Sequence, residues 1–173
     1  CIHSITHTQF HRHFSQRRFC DTIGMDKIFF QNSGTEANEC MIKMARKYGV
    51  EKYGPEHYHI VTAINGFHGR TYGALSATGQ PDNACQLGFK PMLPGFSYAE
   101  YNNLEDFKSK VTDNTIAIMI EPVQGEGGVH PATQEFIEDF VNSVMKEVCF
   151  SFSMKYRPDG DVQDLQWHSW DMV

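Results

Sequence analysis

Three short stretches of the 173-residue chain carry side chains whose types and spacing suit chemistry. The first is Asn32-Ser33-Gly34-Thr35-Glu36-Ala37. Gly34 lets backbone approach a ligand closely, and Ser33 and Thr35 add hydroxyls. If a helix starts here, its first N–H groups lack helical partners and sit at the positive end of the helix dipole, an arrangement that binds phosphate. A plain capped helix uses the same residue types and is the commoner outcome. The second stretch is Gly66-Phe67-His68-Gly69-Arg70-Thr71. Phe67 can stack on a flat ring and Arg70 can fork onto a carboxylate. An irregular loop with an exposed Arg is the bland alternative, and a lone His68 reads as a hydrogen-bonded structural group. The third is Glu121-Pro122-Val123-Gln124-Gly125-Glu126-Gly127-Gly128, two carboxylates with three glycines that allow a tight loop over a site. Its alternative is a solvated Gly-rich turn. His3, His7 and His11 would share a helical face and can be drawn as a metal cluster, but no cap or apolar stripe supports a helix there.

These stretches need elements to position them. Lys27-Ile28-Phe29-Phe30 is an apolar run expected to be a buried strand ahead of the first motif. Ser33 with Glu36 three residues on is a capping box, so a helix is expected from there. Ala37, Met41, Met44, Ala45 and Tyr48 follow at helical spacing, and Gly49 is expected to end it. His59 to Ile64 reads as a strand broken by Asn65-Gly66, which puts the second motif at a strand's carboxyl end, where α/β proteins bind ligands. Residues 71–78 read as a short helix. Residues 81–100, with Pro81, Pro91 and Pro94, read as a long excursion. Leu104 to Val111 is a helix, and Thr115 to Ile120 a fully apolar strand ended by Pro122, just before the third motif. Pro131-Ala132-Thr133 opens another helix. Apolar strands alternating with helices predict an α/β fold, a mostly parallel sheet covered on both faces.

Composition narrows the function classes. The net charge of −6 argues against a nucleic-acid-binding module. No apolar run approaches the roughly 20 residues of a membrane span. Cys1, Cys20, Cys40, Cys85 and Cys149 are scattered without a C-x-x-C pair, so a reducing cytoplasm is the simpler setting.

Taken together and in order, the three motifs resemble those of the class III pyridoxal-phosphate aminotransferases, most closely the members that act on N-acetylornithine. The resemblance runs over roughly residues 20–138, including Gly24-Met25-Asp26-Lys27, Gly88-Phe89-Lys90-Pro91 and Asn102-Asn103. It implies the large domain of the aspartate-aminotransferase-like fold, a homodimer, and pyridoxal 5'-phosphate as cofactor. Gly34 and Thr35 would bind the cofactor phosphate, Phe67 would stack on its ring, and Glu121 would lie near it. Arg70 would hold a substrate carboxylate. Glu126 would help gate an arginine between the two substrates. The implied reaction moves the amino group of N-acetylornithine to 2-oxoglutarate, in arginine biosynthesis. Ornithine, 4-aminobutyrate or succinylornithine are the alternative donors. A non-enzymatic chain that binds phosphate, or metal through its His-rich start, is the alternative outside the class.

The class also needs a Lys that forms the Schiff base and an Asp in an Asp-Glu-Val-Gln motif. Neither motif appears in residues 139–173, and Lys155 has no matching context, so no catalytic residue is assigned. The chain is expected to be a fragment, inactive by itself, with weak or no cofactor binding. Residues 1–19 hold four histidines and no acid, and the tail carries Trp167 and Trp170 in polar surroundings. Codon degeneracy offers a reason. Read from the third base of each preceding codon, Cys149 to Asp164 can be written L-L-F-F-F-D-E-V-Q-T-G-W-G-R-T-G, which contains the missing motif. Residues 1–19 can likewise be written to end A-E-K-L, as the class does there. Residues 20–138 are therefore expected to be in frame and both flanks out of frame, with poor packing and a misassembled sheet edge.

Overall fold

The computed structural model describes residues 20, 29–80, 84–126, 128–143 and 150–153, the last by backbone alone. Every element below lies in the compact unit Asn32–Val173. The order is α1 (Gly34–Tyr53), β1 (His59–Ala63), α2 (Tyr72–Ala77), β2 (Phe96–Ala99), α3 (Leu104–Lys110), β3 (Thr115–Ile120), β4 (Val123–Gln124), β5 (His130–Pro131), α4 (Gln134–Asn142) and β6 (Phe150–Ser153).

Four strands form a sheet in the order β2-β1-β3-β6, every pairing parallel. Alternate residues of the central strands serve the two faces. Val61, Ala63 and Ile118 pack with Phe107, Phe136 and Phe140 of α3 and α4. Ile60, Ala117 and Met119 pack with Met41, Ile42 and Ala45 of α1 and Ala77 of α2. The parallel sheet with helices on both faces is thus the architecture expected from the alternation of elements. Its consequence for function is that the β1–α2, α1 and β3–β4 junctions open at one end of the sheet.

Several boundaries differ from the sequence reading. Gly49 does not stop α1, which continues to Tyr53 and is capped by Gly54 at φ 113°. A Cβ at Gly49 would meet the carbonyl oxygen of His57 and lie 2.6 Å from Ile116 Cγ2. The glycine is a packing device that brings helix and strand together, and nothing at residue 49 breaks the helical bonds. Phe96–Ala99, inside the expected excursion, is a strand: its register follows β1 residue for residue, from Ile60 with Phe96 to Ala63 with Ala99. Phe29 and Phe30 are not strand residues, and Phe29 is 71% exposed. An apolar run of four is too short to specify a strand by periodicity; Lys27 and Ile28 lie outside the described residues. At the other end, the misassembled edge is not seen at 150–153, which pair with Ala117–Ile120 in regular parallel register. Ladder bonds join backbone to backbone, so many side-chain sets permit them. Phe140 also finds a place, one helical turn beyond Phe136 and edge-on to Phe107 at 5.3 Å. The His-rich start, Lys155 and both tryptophans lie outside the described residues.

Candidate functional site

The first motif builds as its caps demand. Ser33 Oγ accepts from Glu36 N at 3.4 Å, and Glu36 reaches back to accept from Asn32 N at 2.8 Å. The first helical bond is made by Ala37 N, to Ser33 O. The amides of Gly34 and Thr35 therefore have no helical partner. Where a Cβ on Gly34 would stand, nothing lies within 4 Å. That is an open cradle of N–H groups at a helix N-terminus, suited to an oxyanion.

The second motif is folded against it. Asn65, at φ 62°, turns the chain out of β1. Gly69 has φ 125°, and a Cβ there would collide with the Thr35 side chain. Only glycine allows the loop to pass so close to the start of α1. Thr35 Oγ1 and Thr71 Oγ1 share a hydrogen bond at 2.9 Å, and Asn38 Nδ2 donates to His68 O at 2.6 Å. Phe67 carries the Arg70 guanidinium over its ring, 5.7 Å from the centroid. Arg70 is exposed, and no carboxylate among the described residues pairs with it.

The third motif supplies the remaining wall. Glu121 lies at the carboxyl end of β3, and its Oε2 accepts from Phe67 N at 2.9 Å. Burial pushes the Glu121 carboxyl up to about 7; the Phe67 amide opposes this, and the nearby Glu126 charge adds to it. Tyr101 Oη donates to the carbonyls of Glu121 and Pro122 at 2.7 and 3.0 Å. Gln124 Nε2 donates to Ile64 O at 2.8 Å, fastening the β4–β5 hairpin to the end of β1.

Gly34, Thr35, Phe67, Arg70 and Glu126 all line one pocket of about 380 Å³, together with His68 and Gly69. Glu121 stands behind it, joined through Phe67. The six residues singled out from sequence are thus drawn together from three separate segments. A phosphate against the Gly34–Thr35 amides, a flat ring near Phe67 and a carboxylate on Arg70 are all compatible with that lining. A resident pyridoxal phosphate fits this half of its site, because the open cradle and the aromatic face are both present. No lysine lines the pocket among the described residues.

Two features were not legible beforehand. His68 is not the hydrogen-bonded structural group expected. It is 2% exposed, neither ring nitrogen has a partner among the described residues, and burial drives its pKa down to about 4. A neutral imidazole thus lines the pocket. Glu39 of α1 also reaches the second motif, accepting from the amides of Gly73 and Ala74 at 2.7 and 3.1 Å. Thr35, Asn38 and Glu39 fall on one helical face at spacings of three and four. That polar stripe was the available signal.

Among the described residues no cluster of His, Cys, Asp and Glu could hold a metal, and no helix is long and apolar enough to cross a membrane. Cys20, Cys40 and Cys85 are free.

The family model described as aminotransferase class-III matches residues 2–149. An acetylornithine aminotransferase of Caldanaerobacter subterraneus is 54% identical over 112 residues, 65% of this chain and 28% of that protein. One from Methanocaldococcus jannaschii is 48% identical over 122 residues, 70% of this chain and 30% of that protein. The ornithine aminotransferase of Toxoplasma gondii superposes with a TM-score of 0.72 at 28% identity, over 80% of this chain and 33% of that one. The chain spans less than a third of the length of these two curated relatives.

Proposed function

The chain belongs to the class III aminotransferases, and from that premise we propose that it is part of a pyridoxal-phosphate enzyme moving an amino group from N-acetylornithine to 2-oxoglutarate, in arginine biosynthesis. The observation that carries this is the convergence of Gly34, Thr35, Phe67, Arg70 and Glu126 on one pocket, with Glu121 bonded behind it. The names of the relatives favour the donor: both curated proteins cited act on acetylornithine.

Pyridoxal phosphate, when bound, supplies an electron sink for the substrate carbon that loses its proton. The chain's own residues supply binding and orientation. The Gly34 and Thr35 amides bind the phosphate as a fixed dipolar cradle. Phe67 presents an aromatic face to the pyridine ring, and its backbone is tied to Glu121, so ring and acid keep a constant relation. Arg70, without a carboxylate partner among the described residues, receives the carboxylate of the substrate. Glu126, on the Gly-flanked turn, places its carboxyl group at the pocket and acts on a second arginine during the exchange of substrates. His68 stays neutral beside the pocket and adds no competing positive charge.

The whole enzyme would be a cytoplasmic homodimer with small amino-acid and 2-oxo-acid substrates, without nucleic-acid or membrane partners. The 173-residue polypeptide by itself would be inactive, because no lysine lines the pocket among the described residues and residues 1–19 and 139–173 would be read out of frame. The codons test this directly. If the second frame spells Asp-Glu-Val-Gln at residues 153–157, a frame-restored enzyme of the relatives' full length, Schiff-base Lys included, is expected to transaminate N-acetylornithine faster than ornithine, 4-aminobutyrate or succinylornithine. A frame-restored protein without transaminase activity, or one that prefers another donor, overturns the reading.

A further inference from the structure

Helix α2 begins at Tyr72 with Thr71 in the N-cap position, yet Thr71 does not cap it: its hydroxyl is engaged with Thr35 Oγ1 at 2.9 Å and makes no cap bond to the helix. An N-cap side chain normally accepts from the second and third amides of its helix. Here those amides belong to Gly73 and Ala74, and both are taken by Glu39 Oε1, from a different helix. Gly73 makes room for this. A Cβ there would stand 2.5 Å from Glu39 Oε2 and 2.9 Å from its Cδ.

We propose that Glu39 is a positioning residue, the N-cap of α2 supplied in trans, and that it holds Phe67 and Arg70 in register with the oxyanion cradle of α1. Three residues of one α1 face then grip the intervening loop: Thr35 at Thr71, Asn38 at His68, and Glu39 at the α2 amides. The loop that carries the ring-facing and carboxylate-facing groups is fixed to the same helix whose first turn faces the phosphate. Displacing the cap frees the loop and leaves the Gly34 and Thr35 amides untouched. The consequence for ligand affinity rests on the cofactor reading above; the capping itself does not.

The test compares Glu39→Ala, Glu39→Gln and Gly73→Ala in the 173-residue chain. Ala is a good helix former, so α1 is not weakened by the first change. Gln keeps an acceptor oxygen. Amide hydrogen exchange is expected to rise over residues 66–74 in Glu39→Ala, to a lesser degree in Gly73→Ala, and to stay near the parent in Glu39→Gln, with β1 and β3 unchanged. Affinity for pyridoxal 5'-phosphate should fall roughly five-fold in Glu39→Ala, the order of a lost cap, while inorganic phosphate binds as before. Unchanged exchange over 66–74 in Glu39→Ala overturns the proposal. So does a rise that spreads equally through β1 and β3, or an equal loss for both probes, since a generally loosened fold then accounts for the effect. If the parent chain shows no response to pyridoxal phosphate but exchange changes as described, the cofactor reading fails and the trans cap stands.

Discussion

The pocket has two walls built on different principles. One is the α1 start with the 66–74 loop, held by side-chain bonds from Thr35, Asn38 and Glu39 and by a close glycine contact at Gly69. The other is the 121–131 segment, a ladder of two paired residues fastened by Tyr101 and Gln124 and ending in exposed, Gly-flanked Glu126. The first wall has little freedom to move without breaking hydrogen bonds. The second is pinned at its base, and a Cβ at Gly125 would meet nothing within 4 Å. That difference matches the chemistry proposed for each: phosphate and ring must stay put through a catalytic cycle, whereas a carboxylate that meets successive substrates benefits from a yielding turn.

Substitutions can break this contrast. The largest effect is expected at Gly69→Ala, which forces a side chain onto φ 125° and into Thr35. It should lower stability by about 3 kcal/mol, read as a fall in the urea midpoint with the slope unchanged. Tyr101→Phe removes a hydroxyl that serves two carbonyls at the base of the second wall, with an expected loss of about 1 kcal/mol. Gly125→Ala, beside Glu126, meets nothing within 4 Å and should fall within about 0.5 kcal/mol of the parent. A Gly125→Ala loss as large as that of Gly69→Ala would abolish the contrast.

Glu121 and His68, both buried, sharpen the comparison, because they give opposite pH slopes. Glu121 titrates near 7 in the fold against 4.5 as a free carboxyl. Between those values the unfolded chain has released a proton that the folded chain retains, so this group's contribution falls as pH rises from 4.5 to 7. His68 titrates near 4 against 6.5. There the unfolded chain binds the proton that the fold refuses, so stability falls as pH drops from 6.5 to 4. Denaturant titrations across pH 4–7.5 should show Glu121→Gln gaining on the parent as pH rises, and His68→Asn gaining on the parent as pH falls.

What could be read from sequence divides along physical lines. The start of α1, the turn after β1 and the Pro122 stop are local effects of caps, glycine and proline, and the structure has them in place. Gly49 was misread because its cause is not local: His57 and Ile116 approach it from elsewhere in the chain. Strand β2 was hidden because prolines on its approach resemble a loop, while the pairing that makes it a strand lies with β1. His68 was taken as satisfied, and no sequence rule reveals that a side chain will be buried without a partner. Glu39 was overlooked for the same reason, since its partners are amides of another helix. The six candidate residues come together because each lies near a strand end or a helix start, where the fold gathers its loops.

The central claim is that the α1 N-terminus and Phe67 form one anion-and-ring site. It is tested most directly by following backbone amides of the 173-residue chain by NMR while adding pyridoxal 5'-phosphate, with inorganic phosphate in parallel. The account predicts that both ligands shift Gly34 and Thr35, and that pyridoxal phosphate alone also shifts Phe67 and its neighbours, even if binding is weak. Shifts confined to other parts of the chain, or identical patterns for the two ligands, would contradict it.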